Sequence, residues 1–121
     1  MIEPLSGFPP DVLAFRCDGK VTGADYETVL IPAVEAALKT HTRLRLYYEI
    51  GSGFDGFEPS ALFDDFKVGV EHLSLWSRIA VVCDVEWIRF AVSAFRFLMP
   101  GNVRSFHLNE ADQARAWIAE A

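Results

Sequence analysis

The amino-acid sequence predicts a single α/β domain, residues 1–121, with a mixed and mostly parallel sheet of about five strands and four helices. Stretches in which polar and apolar residues alternate one by one, as in a strand, are followed by stretches in which apolar residues recur every three or four positions, as in a helix. The chain has 121 residues, enough for one domain, and 51% of them are hydrophobic, enough for a core. The predicted order, β-β-α-β-α-β-α-β-α, favours a parallel sheet with one early antiparallel strand.

The first part of the chain predicts a short strand, a longer strand and a helix. Met1–Leu5 is expected to form an edge strand, and the alternation along Val12–Val21 is typical of a strand with one buried face. Thr22 and Asp25 have the spacing of a capping box, so a helix is expected to begin there. Pro32 lies within this helix and removes one backbone hydrogen bond, which predicts a kink.

The strand Arg43–Ile50 predicts a sheet with one polar face. Its alternate positions are Arg43, Arg45, Tyr47 and Glu49. A strand covered by helices on both faces is not expected to carry so many polar side chains, so this face should be open or covered only by a partner. The next segment, Gly51–Glu58, holds three glycines. It is expected to be a mobile loop that gates a site at the carboxyl end of the strand, where α/β sheets usually bind ligands.

The rest of the chain predicts three more helices and two more strands. They are helix Pro59–Leu73, strand Arg78–Cys83, helix Glu86–Met99, strand Asn102–His107 and helix Glu110–Glu120. The strand Arg78–Cys83 is almost entirely apolar, which is typical of a central position in a sheet.

The helix Glu86–Met99 has more apolar surface than one sheet can cover. Its polar residues share a strip about 80° wide, and apolar residues occupy an arc of about 240°. Packing on one sheet face needs roughly half of that arc. The surplus is expected to meet neighbouring helices, a second subunit, a bound apolar molecule or a lipid surface, and the pattern leaves these alternatives open.

Composition and charge exclude several classes of function. The 17 acidic residues outnumber the 11 basic ones, and the formal net charge of -6 predicts no nucleic-acid partner. The amino-terminal residues do not resemble a signal peptide, and no window has the roughly 18–20 apolar residues of a membrane span. Cys17 and Cys83 lie within apolar runs, which predicts buried thiols in a reducing cytoplasm.

No pattern of catalytic or metal-binding residues is present in the sequence. His41, His72 and His107 do not have the spacing of metal ligands, and the two cysteines are not clustered. The serine between Gly51 and Gly53 is not a nucleophile elbow, because that motif places its glycines two residues away on either side. We therefore expect a non-enzymatic protein without a metal or another cofactor.

Eight short segments, spread over nearly the whole chain, match one known family. They are Lys20–Ala36, Arg43–Glu49, Gly56–Phe66, Val68–His72, Arg78–Val82, Glu86–Arg89, Val103–Phe106 and Ala114–Ile118. In this combination the chain resembles the SpoIIAA-like proteins, small bacterial relatives of STAS domains. The resemblance implies a STAS-like fold that is also similar to the core of CRAL-TRIO lipid-transfer domains. It further implies a cytoplasmic homodimer with small apolar ligands and peripheral contact at the inner face of the membrane.

One feature of the STAS anti-sigma antagonists, their phosphorylation site, has no match in this sequence. Those proteins carry a phosphorylatable serine in a D-S-[ST]-G turn. The matching stretch here is Asp55–Glu58, in which Gly56 and Phe57 occupy the serine positions. This departure argues against a phosphorylation switch.

The sequence therefore predicts a binding module for a small apolar or lipid-like ligand, placed between the second and third predicted helices. The aromatic residues expected to line or gate the site are Phe54, Phe57, Phe63, Phe66, Trp87, Phe90 and Phe97. Arg89 or Arg96 would hold an acidic head group at the mouth. The alternative is a STAS-type protein-interaction module that works through the glycine-rich segment and an exposed face of the sheet.

Overall fold

A mixed five-stranded sheet is the framework of the structure, a computed structural model that describes residues 1–61, 75–97 and 102–120. Its strands lie side by side in chain order. They are β1 (Ile2–Pro4), β2 (Val12–Val21), β3 (Leu44–Phe57), β4 (Trp76–Val82) and β5 (Asn102–Phe106). β1 pairs antiparallel with β2, and all other neighbours are parallel. The predicted fold class is confirmed.

The helices of the described residues lie before, between and after the later strands. Helix α1 consists of three consecutive segments, Gly23–Asp25, the π-helical Tyr26–Leu30 and Ile31–Leu38. Helix α2 is Glu86–Phe95, and helix α3 is Ala111–Ala119, which a 3-10 turn at Leu108–Glu110 precedes. Residues 59–61 are helical, and the remainder of the predicted helix 59–73 lies outside the described residues.

The order of the strands decides which face each helix covers. Each connection moves the chain one strand further in the same direction, and right-handed connections then place their helices on one face of the sheet. Helices α1 and α2 pack on that face against a core that includes Phe15 and Ile79. Helix α3 follows the last strand and packs on the opposite face, where the core includes Tyr47 and Val82.

Helix α1 begins as the sequence predicts. The backbone N–H of Asp25 donates to the Thr22 hydroxyl over 3.1 Å, and the backbone N–H of Thr22 donates to the Asp25 carboxylate over 2.9 Å. These two bonds are the capping box. A π-helical segment, in which Ile31 donates to the carbonyl of Tyr26, immediately precedes the turn that holds Pro32.

The prediction of a mobile loop at Gly51–Glu58 is wrong, because β3 continues through Phe57. This extension pairs with the end of β2 across two register shifts, with Gly19 opposite Phe54 and Val21 opposite Phe57. Gly51 lies within the strand, and a Cβ atom there would collide with the carboxylate of Asp18. The glycine therefore makes room for a side chain of the neighbouring strand, and it does not indicate a loop.

The prediction of an open polar face on β3 is also wrong, because α3 covers that face. Tyr47 is completely buried there, and its hydroxyl donates to the Glu49 carboxylate over 2.6 Å. Burial, together with the adjacent Glu49 carboxylate, raises the pKa of Tyr47. The polar side chains of β3 thus take part in contacts beneath a helix, whereas the alternation alone predicts contact with solvent.

The side chain of Arg45, on β3, links the end of α3 to the sheet. Its guanidinium makes two hydrogen bonds to the Asp11 carboxylate, at 2.9 and 2.7 Å. The same group donates to the carbonyl of Ile118, over 2.7 Å, and to that of Glu120. Carbonyls at the end of a helix have no partner within the helix, so Arg45 satisfies acceptors that would otherwise need water.

Candidate functional site

Three aromatic rings form a chain at the carboxyl end of β3. The ring centroids of Phe54 and Phe57 are 5.0 Å apart, and those of Phe57 and Trp87 are 6.1 Å apart. Both pairs have the edge-to-face geometry that aromatic rings prefer. Phe54 and Phe57 are half-buried against the core, whereas 51% of the surface of Trp87 is exposed to solvent. The chain of rings therefore leads from the core to the surface.

Helix α2 presents apolar residues on two of its sides. Ile88, Val92 and Phe95 pack against the core beneath the helix. Phe90 lies on a different side with 78% of its surface exposed, and Phe97, two residues after the end of the helix, has 92% exposed. The apolar surplus expected from the sequence is thus present as exposed aromatic rings in the described structure.

The two arginines of this helix differ in their surroundings. Arg89 is half-buried, and its guanidinium donates to the carbonyl of Cys83 over 3.0 Å, at the carboxyl end of β4. Arg96 is exposed at the end of α2. Arg89 therefore fastens the beginning of α2 to the sheet, while Arg96 is accessible to a charged group from solvent.

The thiol of Cys83 lies under the beginning of α2 and does not have the surroundings of a nucleophile. It accepts a hydrogen bond from the backbone N–H of Val85 over 3.2 Å. Burial raises the pKa of this thiol, which keeps it protonated at neutral pH. Cys17 and Cys83 are both buried, as their apolar neighbours in the sequence predict.

Asp84 and His107 form a second polar contact at the carboxyl edge of the sheet, which the sequence reasoning did not identify. Asp84 accepts hydrogen bonds from the backbone of Leu108, over 3.0 Å, and from the His107 ring, at 3.1 Å. The Leu108 bond, followed by that of His107, lowers the pKa of Asp84. The available signal was that each residue follows a parallel strand, and such strand ends meet at one edge. Among the described residues no three His, Cys, Asp or Glu side chains are grouped so that they could hold a metal ion.

The structure thus brings together part of the predicted site. Phe54, Phe57 and Trp87 are in one chain of contacts, Phe90 is exposed on α2, and Phe97 is exposed just beyond the end of that helix. Arg89 and Arg96 flank this surface, one bound to the backbone and one exposed. Phe63 and Phe66 lie outside the described residues. We call the set Phe54, Phe57, Trp87, Phe90 and Phe97 the aromatic surface.

Comparison with known proteins agrees with this fold. The family model described as SpoIIAA-like matches residues 12–119. The chain belongs to the SpoIIAA-like family. A crystal structure of an uncharacterised protein of the DUF3478 family with a SpoIIAA-like fold, from Shewanella loihica PV-4, is similar to it at 28% sequence identity. The match covers 97% of this chain and 93% of that one, with a TM-score of 0.75. No curated protein matches.

The aromatic surface thus lies partly on the end of β3 and partly on α2 and the residues that follow it. Within residues 1–61, 75–97 and 102–120, no helix is both long and apolar enough to cross a membrane. At the position that resembles the STAS phosphorylation turn, the structure has the end of β3, where Gly56 has a φ of 112° and pairs with Lys20.

Proposed function

We propose that this SpoIIAA-like protein is a non-enzymatic cytoplasmic module that binds a small apolar or lipid-like ligand on its aromatic surface. The observation that carries the proposal is the chain of rings from Phe54 through Phe57 to the half-exposed Trp87. Such rings offer large apolar area at little cost in conformational entropy. An acyl chain laid against them would be removed from water, which stabilises the complex by about 25 cal/mol for each Å² buried.

The arginines support a ligand with an acidic head group. Arg96 is exposed beside Phe97, so its guanidinium is available for a carboxylate or a phosphate. Arg89 already donates to the Cys83 carbonyl with one nitrogen and has further N–H groups to offer. The combination of aromatic rings and arginines is the one that amphiphilic ligands require.

The test is a titration of purified protein with a dansyl-labelled C11 fatty acid, below the concentration at which it forms micelles. Phe57→Ala and Trp87→Ala should each weaken binding about tenfold, because 1.4 kcal/mol corresponds to roughly 55 Å² of apolar contact. Phe8→Ala is the matched control, since this half-buried ring contacts Tyr47 on the opposite face of the sheet. Circular dichroism of each variant checks that it is folded.

A second arm distinguishes a dispersed ligand from a lipid surface. Wild-type protein would be floated with phosphatidylglycerol vesicles at low and high salt, beside the variant that carries both Trp87→Ala and Phe90→Ala. Peripheral contact predicts flotation that both the double change and salt reduce, and the net charge of -6 should keep it weak.

Organic extraction of the purified protein separates the proposal from its alternative. A co-purifying acyl chain would support ligand binding. Absence of any bound lipid, together with no binding in either arm, would contradict the proposal and favour a STAS-type protein-interaction module.

A further inference from the structure

A second group of polar side chains lies on the face of the sheet that carries α3, opposite the aromatic surface. Arg16 of β2 and Glu49 of β3 are direct neighbours in the parallel register. The Arg16 Nε lies 2.9 Å from one carboxylate oxygen of Asp18 and 3.7 Å from one of Glu49. The other Glu49 oxygen accepts a hydrogen bond from the buried Tyr47 hydroxyl over 2.6 Å. These polar groups lie towards the carboxyl ends of two parallel strands, where α/β sheets usually bind ligands.

Arg115 of α3 completes this group. Its guanidinium carbon lies 4.9 Å from the ring centroid of Phe8 and 5.5 Å from that of Tyr47. Burial and the Glu49 carboxylate raise the pKa of Tyr47, and Arg115 acts in the opposite direction, which agrees with a guanidinium close to the hydroxyl. The contacts therefore run from Arg115 through Tyr47 and Glu49 to Arg16. We call Arg16 and Arg115 the arginine pair.

Both guanidinium groups are held in place while N–H groups remain available. Two carboxylates hold the Nε side of Arg16, and two aromatic rings fix the plane of Arg115, which leaves the donors at its edge. Within the described ranges no hydrogen bond engages the terminal nitrogens of Arg16, and no carboxylate forms an ion pair with Arg115. Arg45, on the same face, instead donates to a carboxylate and to two carbonyls at the end of α3.

The arginine pair is also accessible. Arg115 is exposed, and 42% of the Arg16 side chain is exposed. Gly51 follows Glu49 by two residues in β3, so it faces the same side of the sheet. A Cβ atom on Gly51 would collide with the Asp18 carboxylate and lie 3.1 Å from the Arg16 Nε. The glycine therefore leaves the space in which Asp18 turns back onto Arg16 and orients its guanidinium.

We propose that the arginine pair binds a small dicarboxylic acid, with one carboxylate at each guanidinium. A guanidinium group recognises a carboxylate through two parallel N–H···O bonds. The Glu49 carboxylate lies between the two arginines and would repel a compact dianion, such as phosphate, placed at the centre. Two carboxylates joined by a short carbon chain keep their charges apart, beside the arginines. This site and the aromatic surface lie on opposite faces of the sheet, so neither proposal depends on the other.

The test is a titration of isotope-labelled protein with succinate, up to about 20 mM and at constant ionic strength, followed by two-dimensional NMR. We expect saturable shifts at the amides of Arg16, Gly51 and Arg115, with a dissociation constant of about 1 mM. Acetate supplies only one carboxylate and should bind at least about tenfold more weakly. Shifts that rise linearly with succinate and do not saturate would overturn the proposal. Tighter binding of inorganic phosphate than of succinate would overturn the choice of a dicarboxylic acid.

Substitutions assign the binding to the arginine pair. Arg115→Gln removes one guanidinium from an exposed position, and Arg16→Lys keeps the charge beside Asp18 but loses the planar fork. Each should weaken succinate binding at least about tenfold. Arg104→Gln is the matched control, because this guanidinium is stacked on two rings of the same face but its neighbour Arg78 is engaged by helix carbonyls.

Circular dichroism checks that each variant is folded. Arg104→Gln should bind succinate as the wild-type protein does, and so should Phe57→Ala, because Phe57 lies on the opposite face. Unchanged succinate binding in folded Arg16→Lys and Arg115→Gln proteins would overturn the proposal. An equal loss in Arg104→Gln would overturn it as well, since the anion would then bind to exposed arginines in general.

Discussion

Helices α2 and α3 each carry one tryptophan, but the two rings have opposite surroundings. Trp117 of α3 lies on the sheet with the Arg104 guanidinium 5.2 Å and the Arg78 guanidinium 5.5 Å from its ring centroid. Trp87 of α2 contacts only the edge of Phe57 among the aromatic rings described. On α3 the arginines come from the sheet and close over the ring. On α2 they belong to the helix itself and leave its rings accessible.

The ends of the two helices show the same contrast. The carbonyls at the end of α3 accept hydrogen bonds from Arg45 and Arg78. Val85, the residue before α2, provides no side-chain cap, and Arg89 is the charged side chain of this helix for which the described structure shows a hydrogen bond to the sheet end. One helix is thus integrated into the domain, and the other is held mainly by its apolar underside. Because α2 is held by fewer contacts than α3, a surface that binds partners is expected on α2.

The largest expected effect is the loss of the Arg45 contacts that fasten α3. Arg45→Ala should lower the free energy of unfolding by about 3 kcal/mol, because Asp11 and two helix carbonyls lose a charged, largely buried partner. Urea unfolding followed by circular dichroism measures this change. Arg43→Ala, at an exposed position of the same segment, is the matched control and should cost less than about 0.5 kcal/mol. Equal effects of the two substitutions would contradict the assigned role of Arg45.

The second prediction compares the two tryptophans directly. Trp117→Ala should destabilise the protein by about 2 kcal/mol, since the ring is half-buried against Phe106 and covered by two arginines. Trp87→Ala should cost less than about 1 kcal/mol, because half of this residue is exposed and Phe57 is its contact among the aromatic rings described. Both values are measured by urea unfolding of each variant beside the wild-type protein. A larger cost for Trp87 would show that its ring is part of the core.

Much of this contrast could not be read from the sequence. Local signals were sufficient where they act locally: the alternation along Val12–Val21 gave the bounds of β2, and Thr22 with Asp25 gave the beginning of α1. Glycine was misleading at Gly51, because the Asp18 side chain that needs its space comes from another strand. A single sequence does not show such a contact between distant residues.

The polar residues that alternate along β3 wrongly predicted an open face of the sheet for the same reason. Arg45 and Tyr47 look like solvent-facing residues in the alternation, but their partners are Asp11, Glu49 and the end of α3. The alternation shows which positions of a strand are polar. It does not show whether a polar side chain contacts water or another group of the protein. On α2, by contrast, the width of the apolar arc correctly indicated surplus apolar surface. That inference needs only the helical period and the area that one sheet can cover.

The smallest expected effect is the pH dependence that Asp11 contributes to the attachment of α3. The hydrogen bonds from the Arg45 side chain lower the pKa of Asp11 from its ordinary value of 3.8. A carboxyl whose pKa is lower in the folded state stabilises that state above pH 3.8. The contribution is lost as the pH falls through the lower, folded-state value.

Asp11→Asn should therefore reduce the acid dependence of the urea midpoint between about pH 4 and pH 2, with little change in slope above pH 5. The Asp11 side chain is 35% exposed, so solvent screening should keep the effect modest. The control is Asp112→Asn, at an exposed position of α3, which should retain the wild-type profile. Identical profiles for Asp11→Asn and wild type would mean that Arg45 holds α3 through the helix carbonyls alone.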